Sequence, residues 1–100
     1  MKFNLKKVWF DPGIGFGKTL NQNLQLMRSL SKYSHKNLQI LLGSSRKSWI
    51  NFIDPSNADQ RIGGSLASIT HALQQNVNTF RIHDVKETNQ MIKVLKALNK

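Results

Sequence analysis

Val8-Trp9-Phe10-Asp11-Pro12-Gly13-Ile14-Gly15-Phe16-Gly17-Lys18 decides how the rest of the chain is read. Its first residues are β-branched and aromatic, and Asp-Pro-Gly stops them, which predicts a strand over Leu5 to Phe10. A carboxylate stands at the end of that strand, and three glycines then let the backbone fold close around a ligand. The arrangement recurs twice. Gly43-Ser44-Ser45-Arg46-Lys47 follows the apolar run Leu38 to Leu42, and Arg81-Ile82-His83-Asp84 follows Val77 to Phe80. Parallel α/β proteins place their chemistry at the carboxyl ends of strands, so these three clusters form the candidate site.

Between the clusters the periodicity changes to helical. Leu20, Leu24, Met27, Leu30, Ser31 and Tyr33 predict one helix over Leu20 to Tyr33, with Thr19 as its N-cap. Leu38 to Leu42 reads as a strand buried on both faces. Arg46 to Ile53 predicts a short helix and residues 54–59 a loop. Ile62, Leu66, Ile69 and Leu73 then predict one buried face of a long helix, with Asn76 as a left-handed cap. Thr79 to Ile82 is the third strand. Asp84 with Glu87 resembles a capping box for a last helix that turns Val85, Ile92, Leu95 and Leu98 inward. Three strand–helix units predict parallel strands with right-handed crossovers, in either a doubly wound sheet or a barrel.

Composition narrows the class. One hundred residues hold 15 Lys and Arg against 5 Asp and Glu, a net charge of +10. Nine of the cations fall in residues 1–50, beside Asp11 as the sole acid. They are scattered, with no aromatic ladder and no zinc-finger or RRM pattern, so a solvated basic surface is expected and no specific nucleic-acid partner. The absence of cysteine excludes disulfides and thiolate metal sites. No run reaches the roughly 18 apolar residues of a membrane span, and Met1 to Lys7 lacks the form of a signal peptide. A cytoplasmic protein with no membrane partner is expected.

The glycine loop has a nucleotide-binding rival. Gly13-Ile14-Gly15-Phe16-Gly17-Lys18-Thr19 ends like a Walker A motif, but Pro12 stands where that motif requires its first glycine. Proline also lacks the N–H that such a loop offers a phosphate. Nor does Lys18 allow the dinucleotide fingerprint, which needs glycine or alanine there. Arg81 and His83 alternate around Ile82, so period two sends both to one face. A guanidinium beside an imidazole at a late strand end makes an anion site, whereas His83 alone would read as a satisfied core histidine. Arg46 is expected to pair with a neighbouring carboxylate, and Asp84 to cap its helix. His35, His71, Arg61, Gly63 and Gly64 are read as structural. Ser65 is read as packing or facing ligand.

Taken together, the three clusters resemble dihydropteroate synthase, the folate-pathway enzyme that joins a pterin to p-aminobenzoate. The resemblance runs from about Val8 to about Leu98. It implies a partial TIM (β/α)8 barrel, with these units similar to strands six to eight, and residues 1–100 as the C-terminal portion of a pterin-binding barrel domain. A complete barrel takes about 250 residues, so a fragment is expected, inactive alone. In the pattern of that family, Asp11 is similar to the acceptor for paired pterin N–H groups, a reading the three clusters favour over that of an Asp that starts the Pro-Gly turn. Phe16 resembles the loop residue packed near the pterin, with plain core packing as its alternative. Lys47 resembles the pterin-contacting lysine, Ser45 the residue near p-aminobenzoate, and Arg81 with His83 the pair that holds the pyrophosphate. Magnesium is implied as the cofactor, its main protein ligand lying outside these residues, and the full-length protein as a homodimer. The competing reading is a non-catalytic basic binding module, or a remnant completed by another chain.

Overall fold

The computed structural model describes residues 9–10, 13–15, 17–34, 39–77 and 79–100. Strand β1 is Trp9–Phe10, β2 is Gln39–Leu42 and β3 is Thr79–Phe80. All pair in parallel, in the order β1-β2-β3. Trp9 and Phe10 stand opposite Gln39 and Ile40, while Leu41 and Leu42 stand opposite Thr79 and Phe80. The expected strand over Leu5 to Phe10 falls outside the described residues before Trp9. The expected third strand is shorter than its sequence run, although the Arg81 N–H still donates to the Leu42 carbonyl at 2.9 Å and carries the ladder one residue further.

Helices cross between the strands. α1 spans Leu20–Arg28 and α2 spans Leu30–Ser34, where one helix was expected. Thr19 caps α1, and Gln22 completes a capping box with it. The break falls at Ser29, whose hydroxyl donates to the Gln25 carbonyl at 2.5 Å, a back-bond of the kind that bends helices. Two groups freed near the break are met by α4, Ile62–Gln74, and the residue that follows it. Gln75 accepts from the Ser31 N–H at 3.0 Å and donates to the Met27 carbonyl at 2.7 Å. His71 Nε2 lies 2.8 Å from the same carbonyl, which only accepts, so His71 is the structural residue expected. His35 lies outside the described residues.

The face of α4 differs from expectation. Ser65, Ser68, Ile69 and Ala72 are buried, while Ile62 is 36% exposed. Two causes turn it. Gly64 meets α3, Ser48–Ile53, so closely that a Cβ there would lie 2.6 Å from Ile50 Cγ2. The serines are also drawn inward by hydrogen bonds to the strand-end loop. Asn76 takes the expected left-handed conformation, at φ 67°. The last helix, α5, spans Val85–Leu98. Its buried residue is Thr88, whereas Val85 is 63% and Leu98 75% exposed, so those two do not face the core.

The core joins Ile14, Met27, Leu30, Ile40, Leu42, Trp49, Ile50, Ala72 and Val77. Ile14 comes from the glycine loop and is fully buried, which pins that loop onto the sheet. Among the described residues no helix is long and apolar enough to cross a membrane.

Candidate functional site

The glycine loop is held from two sides. The Gly15 N–H donates to Asn23 Oδ1 at 2.8 Å, and the Lys18 ammonium donates to the Gly13 carbonyl at 2.9 Å. Asn23 is buried on α1. No motif marks it in the sequence, where its place four residues before Met27 on an apolar stripe is the available signal. Gly15 has φ 88°, a conformation that side chains rarely adopt. Asp11 and Phe16, the expected pterin contacts, lie outside the described residues. The loop residue seen to enter the core is Ile14.

Lys47 reaches from the second strand end to this loop. Its ammonium donates to the Ile14 carbonyl at 2.7 Å, and its stem lies where a Gly15 side chain would stand. A Cβ built on Gly43 would lie 3.7 Å from Lys47 Nζ and 3.9 Å from Arg81 Nη1. Two cations from different strand ends therefore converge on the space above one glycine. Two cations bordering one loop residue favour an anion nearby.

The second and third strand ends are tied by side chains in the strands' own register. Leu41 and Leu42 pair with residues 38 positions later, and so do Ser45 and Arg46. Ser45 Oγ lies 3.3 Å from the His83 N and 3.1 Å from its Nδ1. Arg46 makes a two-pronged pair with Asp84, Nε to Oδ2 at 3.1 Å and Nη2 to Oδ1 at 2.5 Å. That partner is the carboxylate expected for Arg46. Asp84 stands at the N-cap position of α5 but makes no side-chain cap there, so its expected capping role is corrected. Both its oxygens serve the guanidinium instead. The hydrogen bond from Arg46, helped by its charge, lowers the Asp84 pKa against the opposing effect of burial, and Asp84 raises that of Arg46.

Arg46 adopts φ 54°, unusual for a residue with a side chain, and both ends of the residue's backbone are held. Its N–H donates to Ser65 Oγ at 2.8 Å, and its carbonyl accepts from Arg61 Nη1 at 3.0 Å. Arg61 also donates to the Ser56 carbonyl at 2.7 Å. Ser44 Oγ lies 2.8 Å from Ser68 Oγ, which itself donates to the Ser65 carbonyl at 2.7 Å. Ser65 therefore supports the loop from below. Above this buried hydroxyl layer, Arg81 and His83 are exposed, while Ser45 is 4% exposed beneath His83.

A parallel α/β sheet thus gathers cations at its strand ends, where folds of this class hold their ligands. The family model described as pterin binding enzyme matches residues 1–83. The chain belongs to the pterin binding enzyme family. It is 41% identical over 92 residues to dihydropteroate synthase of Escherichia coli (strain K12), covering 92% of this chain and 33% of that protein. Among solved structures, it resembles dihydropteroate synthase from Thermus thermophilus in complex with 6HMPPP. The TM-score is 0.87 at 36% identity, over 93% of this chain and 38% of the other. The complex of the Thermus enzyme with 4-aminobenzoate matches with the same TM-score of 0.87, identity and coverage. The chain thus spans about a third of the length of the relatives it matches.

Proposed function

We propose that this chain supplies the last three βα units of a dihydropteroate synthase barrel, units six to eight. Sequential parallel neighbours are what a barrel requires, and the sheet order β1-β2-β3 supports that placement. The amine of p-aminobenzoate attacks the methylene carbon of a dihydropterin-methyl pyrophosphate. A C–N bond forms, the C–O bond to the pyrophosphate breaks, and the amine gives up a proton. No covalent enzyme intermediate is needed. What the site must do is orient the pterin and stabilise negative charge growing on the leaving group.

Lys47, with Asp11 and Phe16, is assigned to the pterin, and Arg81 with His83 to the pyrophosphate. Ser45, expected on the p-aminobenzoate side, is buried with its hydroxyl against the His83 ring, so it is assigned instead to the pyrophosphate side, where it acts through His83. The observation that carries this reading is the convergence of Lys47 and Arg81 above Gly43. It sets a pterin-side cation next to a phosphate-side cation, as a ligand with both parts demands. The two Thermus complexes, one with 6HMPPP and one with 4-aminobenzoate, support the same pair of substrates.

The resemblance also implies magnesium. Among the described residues no three carboxylate or imidazole groups come together, and the converging side chains are cations. That donor set does not fit a divalent ion, so no step is derived through it.

The test is pyrophosphate release by the protein that carries this chain, supplied with both substrates. Each of Lys47→Ala and Arg81→Ala removes a charged hydrogen bond of about 1.5–3 kcal/mol, so kcat/KM falls by about 10- to 100-fold. Unchanged rates in both variants contradict the assignment.

A further inference from the structure

We propose that Ser45 orients His83 and fixes its neutral ring as the tautomer with the proton on Nε2, so that His83 offers an N–H donor to an anion beside Arg81. The argument starts from one proton. The His83 backbone N–H, 3.3 Å from Ser45 Oγ, only donates and so takes a lone pair of the hydroxyl. Among the described residues the remaining polar neighbour of that hydroxyl is His83 Nδ1, at 3.1 Å. The single hydroxyl proton therefore goes to Nδ1, which must then be the unprotonated nitrogen. The ring proton is left on Nε2.

Burial makes the preference count. Ser45 is 4% exposed, so leaving its proton without an acceptor would cost a desolvated hydrogen bond. Next in line, the Arg46–Asp84 pair ties the residue after Ser45 to the residue after His83. The backbone beside the contact is thereby set, and the imidazole is held by its Nδ1 edge while the rest of the exposed side chain faces outward. A donor delivered this way is ready without being made by protonation. Ser45 is then a positioning residue, acting on the anion through His83. That the donor serves an anion rests on the pyrophosphate reading, whereas the tautomer does not.

The experiment is nitrogen NMR of the protein carrying this chain, labelled with 15N-histidine. Spectra are recorded at about pH 8, above the usual imidazole range. The His83 signals are assigned by their loss in His83→Gln. The expected spectrum has a pyridine-type Nδ1 and a pyrrole-type Nε2, and the reverse overturns the proposal even if no Ser45 variant folds. Ser45→Ala should move both signals toward the mixed values of a free imidazole, and Ser45→Thr should restore them. An alanine spectrum identical to wild type removes Ser45 from the role. Titration with inorganic pyrophosphate should shift Nε2, with affinity about three- to tenfold weaker in Ser45→Ala. A correct tautomer with no pyrophosphate-dependent shift overturns the anion half and leaves the positioning half standing.

Discussion

A methyl group on Gly15 would lie 2.8 Å from Lys47 Cδ, in a residue that already holds φ 88°. Gly15→Ala should therefore cost about 1–3 kcal/mol in urea unfolding and also displace Lys47 from the Ile14 carbonyl. A stability loss with pterin affinity unchanged would separate the loop from the site. Asp84 offers a second residue-scale test. Its pKa is lowered in the fold by Arg46, so its contribution is complete above the ordinary carboxylate value of about 4 and fades as pH falls through the lower folded value. Wild type should lose stability on acidification below about pH 4, and Asp84→Asn should lose less over the same range. Equal acid slopes for the two proteins would show that the pair contributes nothing. Sequence alone pointed to a carboxylate partner for Arg46 but put Asp84 on helix capping. The partnership depends on a register between residues 38 apart, which no local pattern carries.

At the scale of elements, the helices were legible and their facing was not. Hydrophobic spacing placed α4 correctly but chose Ile62, Leu66, Ile69 and Leu73 as its inner stripe. Only Ile69 of these is fully buried, because Ser65 and Ser68 are drawn inward by the Arg46 N–H and the Ser44 hydroxyl. A count of apolar residues cannot see that demand. The break between α1 and α2 was hidden for a similar reason, since the groups it frees are met by Gln75, 44 and 48 residues away in sequence. Gly64→Ala tests the α3–α4 contact. The added carbon would stand 2.6 Å from Ile50, so overpacking of about 1–3 kcal/mol is expected, together with a looser strand-end loop. A neutral or stabilising result would mean that the two helices approach less closely than described.

Across the whole molecule, three strand ends are gathered by one parallel sheet whose register continues through side chains into the site. The clusters after residues 10, 42 and 80 were readable because charge and glycine break apolar runs abruptly. What they do together was not, since the meeting of Lys47 with the glycine loop and of Lys47 with Arg81 above Gly43 needs the folded chain. The central claim is that one ligand carries a pterin to Lys47 and a pyrophosphate to Arg81 and His83. Calorimetric binding of the pterin pyrophosphate and of the same pterin without its pyrophosphate tests it most directly, on the protein that carries this chain. Arg81→Ala and His83→Ala should each weaken the first ligand by about 10- to 100-fold and leave the second within about twofold, while Lys47→Ala should weaken both. Equal losses of both ligands in Arg81→Ala and His83→Ala would assign that pair to the fold and contradict the account.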